Sequence, residues 1–435
     1  MKLRDTLCIG MSLAPTWLRD EGWRRPGSGI EGLFSAEFAL DIARRSEAAH
    51  LDFVFRPDTH SLPVPVMETS FGFASLDSVL MMAALVQGTS RIGLVPTIST
   101  TFAHPYPTAR QLMSLHWMSQ GRAGCNIVTA LQGQQNFGLT EMPSSADRYA
   151  RAGEFVTAMQ ALWQSFPSEA LRIDRATGQF ADTALIRPAD HHGAAFDIEG
   201  PLNIPAFPGP HIPMMQAGAS AGGIALAGQM AEMVFAQTLT RQDALAARQA
   251  LSRAAKTAGR APRDVRLLPG LSLYLADSRA EARDLFEANH ARVDRPARLA
   301  RLREATGLDL TAWPGDRPVR CADLPAVPPP SRFPTYGALL RELIAQEELT
   351  VDRLLARPEL LASVHWQIIG TVEDAFQTIS HWFETGAIDG FVAVPGGAPR
   401  SMHLTLEQLV PRLAEAGLFR KRYTNSTLTG HLAEG

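Results

Sequence analysis

Two clusters of uncharged polar residues stand at the ends of apolar runs in this chain. Thr97, Ser99, Thr100 and Thr101 close the run RIGLVPTISTT, and Asn126 interrupts the next one, CNIVT. Hydroxyls and a carboxamide can hydrogen-bond a polar ring or a phosphate without fixing a charge beside it. An Asn inside an apolar β-prone run is poorly suited to a core unless its amide meets a specific partner. Asp58, after LDFVFRP, reads as a functional carboxylate or as a cap on the next helix. His104, in AHPYP, is placed to donate to a bound ligand or simply to be solvated. Cys125, beside Asn126, lacks a neighbouring cation to lower its pKa and reads as a small packed hydrophobe.

The segment IPMMQAGASAGG runs a buried strand into a small-residue turn that opens a helix. Small side chains let backbone N–H groups approach an anion, and the helix N-terminus adds its dipole. Ser220 is the residue expected on a phosphate there. Arg148 and Tyr149, in SSADRYARAGEF, open another helix that could grip the same group. The turn lacks the Gly-Lys-Ser/Thr ending of a P-loop and the glycine spacing of a dinucleotide fingerprint. Its structural alternative is a tight turn with glycines for helix packing. His191 and His192 lack the carboxylate and histidine spacing of a metal site, so no metal is expected.

Positioning these groups requires buried strands whose polar ends converge. Eight apolar, β-prone segments run in order at 7–13, 51–55, 92–97, 123–129, 212–216, 233–236, 267–275 and 390–394. Helical patterns lie between them. Residues 35–50 space Phe38, Ile42 and Ala49 on one side, with Ser35 as a plausible N-cap. Residues 75–88 and 110–119 read likewise, and 147–165 opens on Asp147. Strand and helix in alternation predict an α/β fold, a (β/α)8 TIM barrel, with an open doubly wound sheet as the alternative. The chain is expected to be one domain, 1–435, with insertions after strands four and seven at about 130–211 and 277–367. The first should hold a helix and a hairpin. The second should be helical, broken by PAVPPPSRFP. Excursions of that length usually act as lids or binding loops.

Composition narrows the function classes. A chain of 435 residues that is 46% hydrophobic can bury a large core, and a formal net charge of -3 argues against nucleic acid or an anionic membrane as partner. No apolar run reaches the roughly 20 residues that span a bilayer. MKLRDTLCIGMSL is broken by Asp5 and lacks a small-residue cleavage site, so it reads as a first strand rather than a signal peptide. Three scattered cysteines, Cys8, Cys125 and Cys321, suit the cytoplasm better than a disulfide framework.

Taken in order, GWRRPG, LDFVFRPD, RIGLVPTISTTFAHPYPTARQLMSLHWMSQGRAGCNIVT, QQNFG, RYARAGEF, FDIEGPLNIP, IPMMQAGAS, IGTVEDA, GAIDGFVAV and VPRLAEAGLFRKRY resemble the bacterial-luciferase-like flavin monooxygenases. The branch is that of the nitrilotriacetate, EDTA, dibenzothiophene-sulfone and long-chain alkane monooxygenases and pristinamycin synthase component A. The resemblance implies a barrel that uses reduced FMN, supplied by a separate NAD(P)H:flavin reductase, and O2 to oxygenate a small or medium organic substrate by C–N, C–S or C–H oxidation. It implies a homodimer or homotetramer. By motif, Asp58, Thr100 and Thr101 would lie against the flavin ring or ribityl chain, Asn126 beside the ring, and Tyr149 and Ser220 at the phosphate, with His104 the candidate catalytic group. The chain departs from the pattern at Cys125, where the family has Trp, and at Ser145, where it often has His. The first loop, MSLAPTWLRDEGW, also lacks the usual histidine. An F420-dependent oxidoreductase, a non-catalytic flavin-binding barrel and a metal-dependent barrel hydrolase are the competing readings.

Overall fold

The computed structural model describes residues 3–218, 220–327, 334–361 and 365–434. Most of the Pro-rich stretch PAVPPPSRFP lies outside them. Nine parallel strands make the main sheet: β1 (Cys8–Ser12), β2 (Phe53–Arg56), β3 (Gly93–Ser99), β4 (Cys125–Val128), β5 (Met214–Ala217), β6 (Met233–Ala236), β7 (Arg266–Leu275), β8 (Trp366–Gly370) and β9 (Gly390–Pro395). β1 pairs with both β2 and β9, and β7 pairs with both β6 and β9. The remaining neighbours pair in chain order, so eight strands close into a barrel. All eight expected strands are present, mostly within two residues of their expected ends.

The ninth, β8, is a correction to the sequence reading. It pairs with Leu271–Leu275 of β7, while β6 takes the other half, Arg266–Pro269. β7 is ten residues long and buried throughout, so one edge serves two partners in turn. Trp366 of β8 stacks on Trp382 of the following helix at 3.9 Å, which anchors the extra strand.

The helices of the barrel wall are α1 (Ala36–Ala48), α2 (Ser78–Leu85), α3 (Pro105–Met118), α4 (Ser145–Ser165), α5 (Ala221–Met230) and α6 (Arg241–Thr257). Ser35 caps α1 by accepting from the Glu37 N–H. α3 starts five residues before its expected beginning because His104 caps it and Pro105 occupies the first helical position, where a missing N–H costs nothing. Ser144, not Asp147, caps α4, and Asp147 accepts from the Ser144 hydroxyl at 2.6 Å. The first insertion holds two short antiparallel ladders after α4. The second contains α7 (Arg279–Asn289), α8 (Arg295–Thr306) and α9 (Pro334–Gln346), with a separate apolar cluster built on Leu302, Leu340 and Leu354.

The two ends of the barrel differ in chemistry. At the N-terminal end, the Asp52 carboxylate accepts from the Ile9 N–H at 2.7 Å and pairs with Arg420. Asp389 pairs with Arg248 at 2.8 Å, both side chains buried. The C-terminal helix Leu428–Ala433 plugs that end, with Leu428 and Leu432 packed among Phe53, Val95 and Met215. Gly93 and Gly124 make room for it, since a Cβ on either would fall 2.7 Å from a Leu428 methyl. The opposite end carries uncharged polar groups instead, on the face where barrels keep their active sites.

Candidate functional site

At the C-terminal ends of β2, β3 and β4 the hydroxyl and amide groups form one chain of bonds. Asn126 donates through Nδ2 to the Thr97 hydroxyl at 3.0 Å, and that hydroxyl donates to the Arg56 carbonyl at 2.7 Å. Ser78 donates to the Thr97 carbonyl at 2.8 Å, while its own N–H donates to Asp58 at 3.3 Å. Asp58 also accepts from the Thr59 N–H at 2.8 Å. Asp58 therefore joins the cluster by bracing the start of α2, the capping alternative already visible in the sequence. The Thr100 hydroxyl donates to the Val128 carbonyl at 3.1 Å, and the Thr101 hydroxyl accepts from the Ala130 N–H at 3.0 Å. Both threonines staple the β3 loop to the β4 loop.

Several buried polar atoms on this side of the barrel have no partner among the described residues: Ser99 Oγ, Asn126 Oδ1, Gln216 Oε1, Thr238 Oγ and His365 Nδ1. Each orphaned polar atom costs on the order of 1–3 kcal/mol, so natural proteins retain few without a reason. These five come from β3, β4, β5, the loop after β6 and the residue before β8. They form a polar cup whose free donors and acceptors suit a ligand of matching chemistry.

Beside this cup, two hydroxyls meet at the head of α5. The Tyr149 hydroxyl and Ser220 Oγ are 2.7 Å apart, although 71 residues separate them in sequence. Ser220 is the N-cap of α5 and accepts from the Gly223 N–H at 3.2 Å. The N–H groups of a helix's first turn have no intrahelical acceptor and point outward with the positive end of the dipole. Gly222 is required here, for a Cβ would sit 2.6 Å from the Tyr149 ring. Gln216 projects under the turn, its Nε2 donating to the Ala217 carbonyl. Arg151, on the same helix as Tyr149, donates to the Thr100 carbonyl at 3.1 Å, tying that helix to the hydroxyl cluster. Asp58, Thr100, Thr101, Asn126, Tyr149 and Ser220 are thus gathered along the ends of β2 to β5.

His104 stands apart from that group. Its Nδ1 accepts from the Tyr106 N–H at 3.3 Å as the α3 cap, and its ring meets Phe196 of the first insertion edge-on. The ring is exposed, and only Nε2 is left for a ligand. Sequence reasoning missed His365, which lies against Phe235 at 5.3 Å, with Phe235 against Phe55 at 5.2 Å. Burial, with a smaller contribution from Arg19, lowers the His365 pKa to about 4, so the ring is neutral near pH 7. It also missed Gln216, although a polar residue inside IPMMQAG carries the same signal as Asn126. A third omission is the aromatic wall of Phe102 and Phe137, stacked at 4.2 Å with His60 edge-on to both.

The remaining chemistry-bearing residues are engaged elsewhere. His192 is held by Asp197 at 2.6 Å and Asp190 at 3.0 Å, and His191 lies 3.3 Å from Glu154. Among the described residues no group of three His, Cys, Asp or Glu could hold a metal ion. Cys125 is packed with Ile127 and Met214, and burial pushes its thiol far above the usual range. No helix among the described residues is long and apolar enough to cross a membrane.

The chain is 31% identical to N-acetyl-S-(2-succino)cysteine monooxygenase of Bacillus subtilis (strain 168), over 97% of this chain and 95% of the relative. It is 32% identical to nitrilotriacetate monooxygenase component A of Aminobacter aminovorans, over 94% and 92%. Its fold matches that of riboflavin lyase (RcaE), solved with modified FMN and riboflavin, with a TM-score of 0.81, 26% identity and coverage of 98% and 96%. The family model described as luciferase-like monooxygenase matches residues 16–384, and the chain belongs to that family.

Proposed function

We propose that this chain is the oxygenase component of a two-component system. It takes reduced FMN from a separate NAD(P)H:flavin reductase and uses O2 to oxygenate a small or medium organic substrate at a C–N, C–S or C–H bond. The observation that carries this reading is the Tyr149–Ser220 hydrogen bond at the glycine-lined head of α5, beside a cup of orphaned polar atoms. A phosphate on one side and a polar ring on the other are what FMN presents. The designation of the Aminobacter relative as a component A supports a separate partner. The buried, unpaired Cys8 and Cys125 support a reducing, cytoplasmic setting.

The bound flavin would supply the oxygen-activating redox chemistry, leaving the protein to bind, orient and exclude water. Tyr149, Ser220 and the first N–H groups of α5 would hold the phosphate. Asn126 Oδ1, unpaired among the described residues, would accept a ring N–H, while Thr97 fixes the amide's orientation. Thr100, Thr101 and Asp58 brace the loops that form the walls. The Phe102–Phe137 stack would keep water from one side of the cavity. His365, neutral and with Nδ1 unpaired, is better supported than the helix-capping His104 as the group that holds a proton near the reacting atoms.

The test is stopped-flow mixing of O2 with reduced FMN, with and without the protein. A protein-dependent change in the rate of flavin reoxidation is expected. Kinetics identical to free flavin at high micromolar protein would refute the proposal. A parallel titration with reduced F420 discriminates the other cofactor.

A further inference from the structure

The loop after β1 departs from the family's pattern, and it carries an unusual cation. Arg19 follows the short turn Thr16–Leu18, which is fixed to the last stave by the Thr16 hydroxyl donating to the Pro395 carbonyl at 3.1 Å. Its neighbours Trp17 and Leu18 are buried, while the Arg19 guanidinium lies over the Phe73 ring at 4.6 Å. Phe73 belongs to the loop after β2. Arg19 is half-buried, yet among the described residues its guanidinium donates no hydrogen bond and has no carboxylate within 4.0 Å. The adjacent acid makes no direct pair with it: Asp20, at a left-handed φ of 49°, turns its carboxylate toward His290 at 3.6 Å and reaches Arg19 only as a charge at longer range.

A planar cation with five donors is costly to leave unpaired in a partly desolvated place. Apart from Asp20, the groups named around it are neutral or cationic. Arg25 is bonded to the Gly397 and Leu285 carbonyls, Tyr274 is buried beneath, and His365 is neutral. Around them the loop after β2 exposes Val64, Val66 and Met67 as well as Phe73, and the loop after β4 exposes Leu131 and Phe137. The lip is apolar, and the floor holds a guanidinium whose fork meets no hydrogen-bond acceptor among the described residues.

We propose that Arg19 is the specificity-determining receptor for the head group of the substrate, and that the substrate has an apolar body ending in a carboxylate or similar oxyacid. The guanidinium fork matches a carboxylate bidentately, and Phe73 holds the fork flat for it. The phosphate cradle at α5 is built on other staves, so the two anions do not compete. The inference rests on the oxygenase reading only in treating this mouth as the substrate's entrance.

Isothermal titration of the FMN-loaded protein with matched acids and methyl esters tests it: phenylthioacetate against methyl phenylthioacetate, and hexanoate against methyl hexanoate. The wild type should bind the acid at least tenfold more tightly than its ester. Arg19→Gln should erase that preference with ester binding unchanged, Arg19→Lys should keep part of it, and FMN affinity should stay the same in all three. Absence of acid preference in the wild type, including absence of binding by both pairs, overturns the assignment, as does a preference that survives Arg19→Gln. Failure of the wild type to bind FMN would instead refute the oxygenase reading, and the acid preference is then read on the flavin-free protein.

Discussion

Replacing Tyr149 with Phe removes one oxygen from the proposed phosphate cradle and little else. In the protein alone that hydroxyl meets, among the described residues, only Ser220 Oγ at 2.7 Å, and Ser220 keeps its capping bond to the Gly223 N–H at 3.2 Å. The stability cost is therefore one neutral hydrogen bond, about 1 kcal/mol. In the complex the same hydroxyl would donate to a charged phosphate, a bond worth about 1.5–3 kcal/mol. At about 1.4 kcal/mol per decade, FMN should bind roughly 10- to 150-fold more weakly to Tyr149→Phe. Riboflavin, which has the ring and ribityl chain without the phosphate, supplies the control. Flavin fluorescence titrations of wild type and variant with both ligands should show the loss for FMN alone. An equal loss for both ligands would mean that Tyr149 shapes the ring pocket. No loss for either would put the phosphate elsewhere, and both results refute the reasoning.

Three further outcomes follow from the geometry. Asn126→Leu keeps the volume and removes an orphaned acceptor, so the flavin-free protein should melt no lower than wild type while FMN affinity falls about five- to tenfold; a lower melting temperature with unchanged affinity would contradict the role given to Asn126. Leu428→Ala empties the plug of the barrel and should cost about 2–5 kcal/mol in urea unfolding without changing FMN affinity, and a loss under 1 kcal/mol would show that the plug is dispensable. His365 makes the fold acid-labile. Its folded pKa of about 4 lies below the ordinary 6.5, so the unfolded chain takes the proton first and stability is lost as pH falls from 6.5 toward 4. Linkage gives a loss of about 1.4 kcal/mol near pH 5.5, which urea melts of His365→Gln should lack and wild type should show.

The barrel was legible because its staves are buried on both faces and therefore continuously apolar, as in β3 and β9, whose residues are all buried. β8 escaped notice because its burial alternates and a long helical excursion precedes it. The C-terminal plug carries only two leucines in six residues, and its meaning lies in Gly93 and Gly124, far away in sequence. Both sides of the proposed phosphate cradle were legible, since a small-residue turn and a tyrosine at a helix start each carry local signals. Their 2.7 Å approach is tertiary information. His104 was a reasonable candidate from its loop, but the sequence concealed that Pro105 would start a helix and make the histidine its cap. Arg19 and His365 lack any local motif. Their significance is the absence of a partner, which appears only when the surrounding loops are in place.

The most direct test of the account is a crystal structure of this protein with FMN. The phosphate should lie within hydrogen-bond distance of Tyr149 Oη and Ser220 Oγ at the head of α5, with a ring N–H directed at Asn126 Oδ1. Density for the phosphate anywhere else on the barrel, or a ring that leaves Asn126 Oδ1 unpaired, would contradict it.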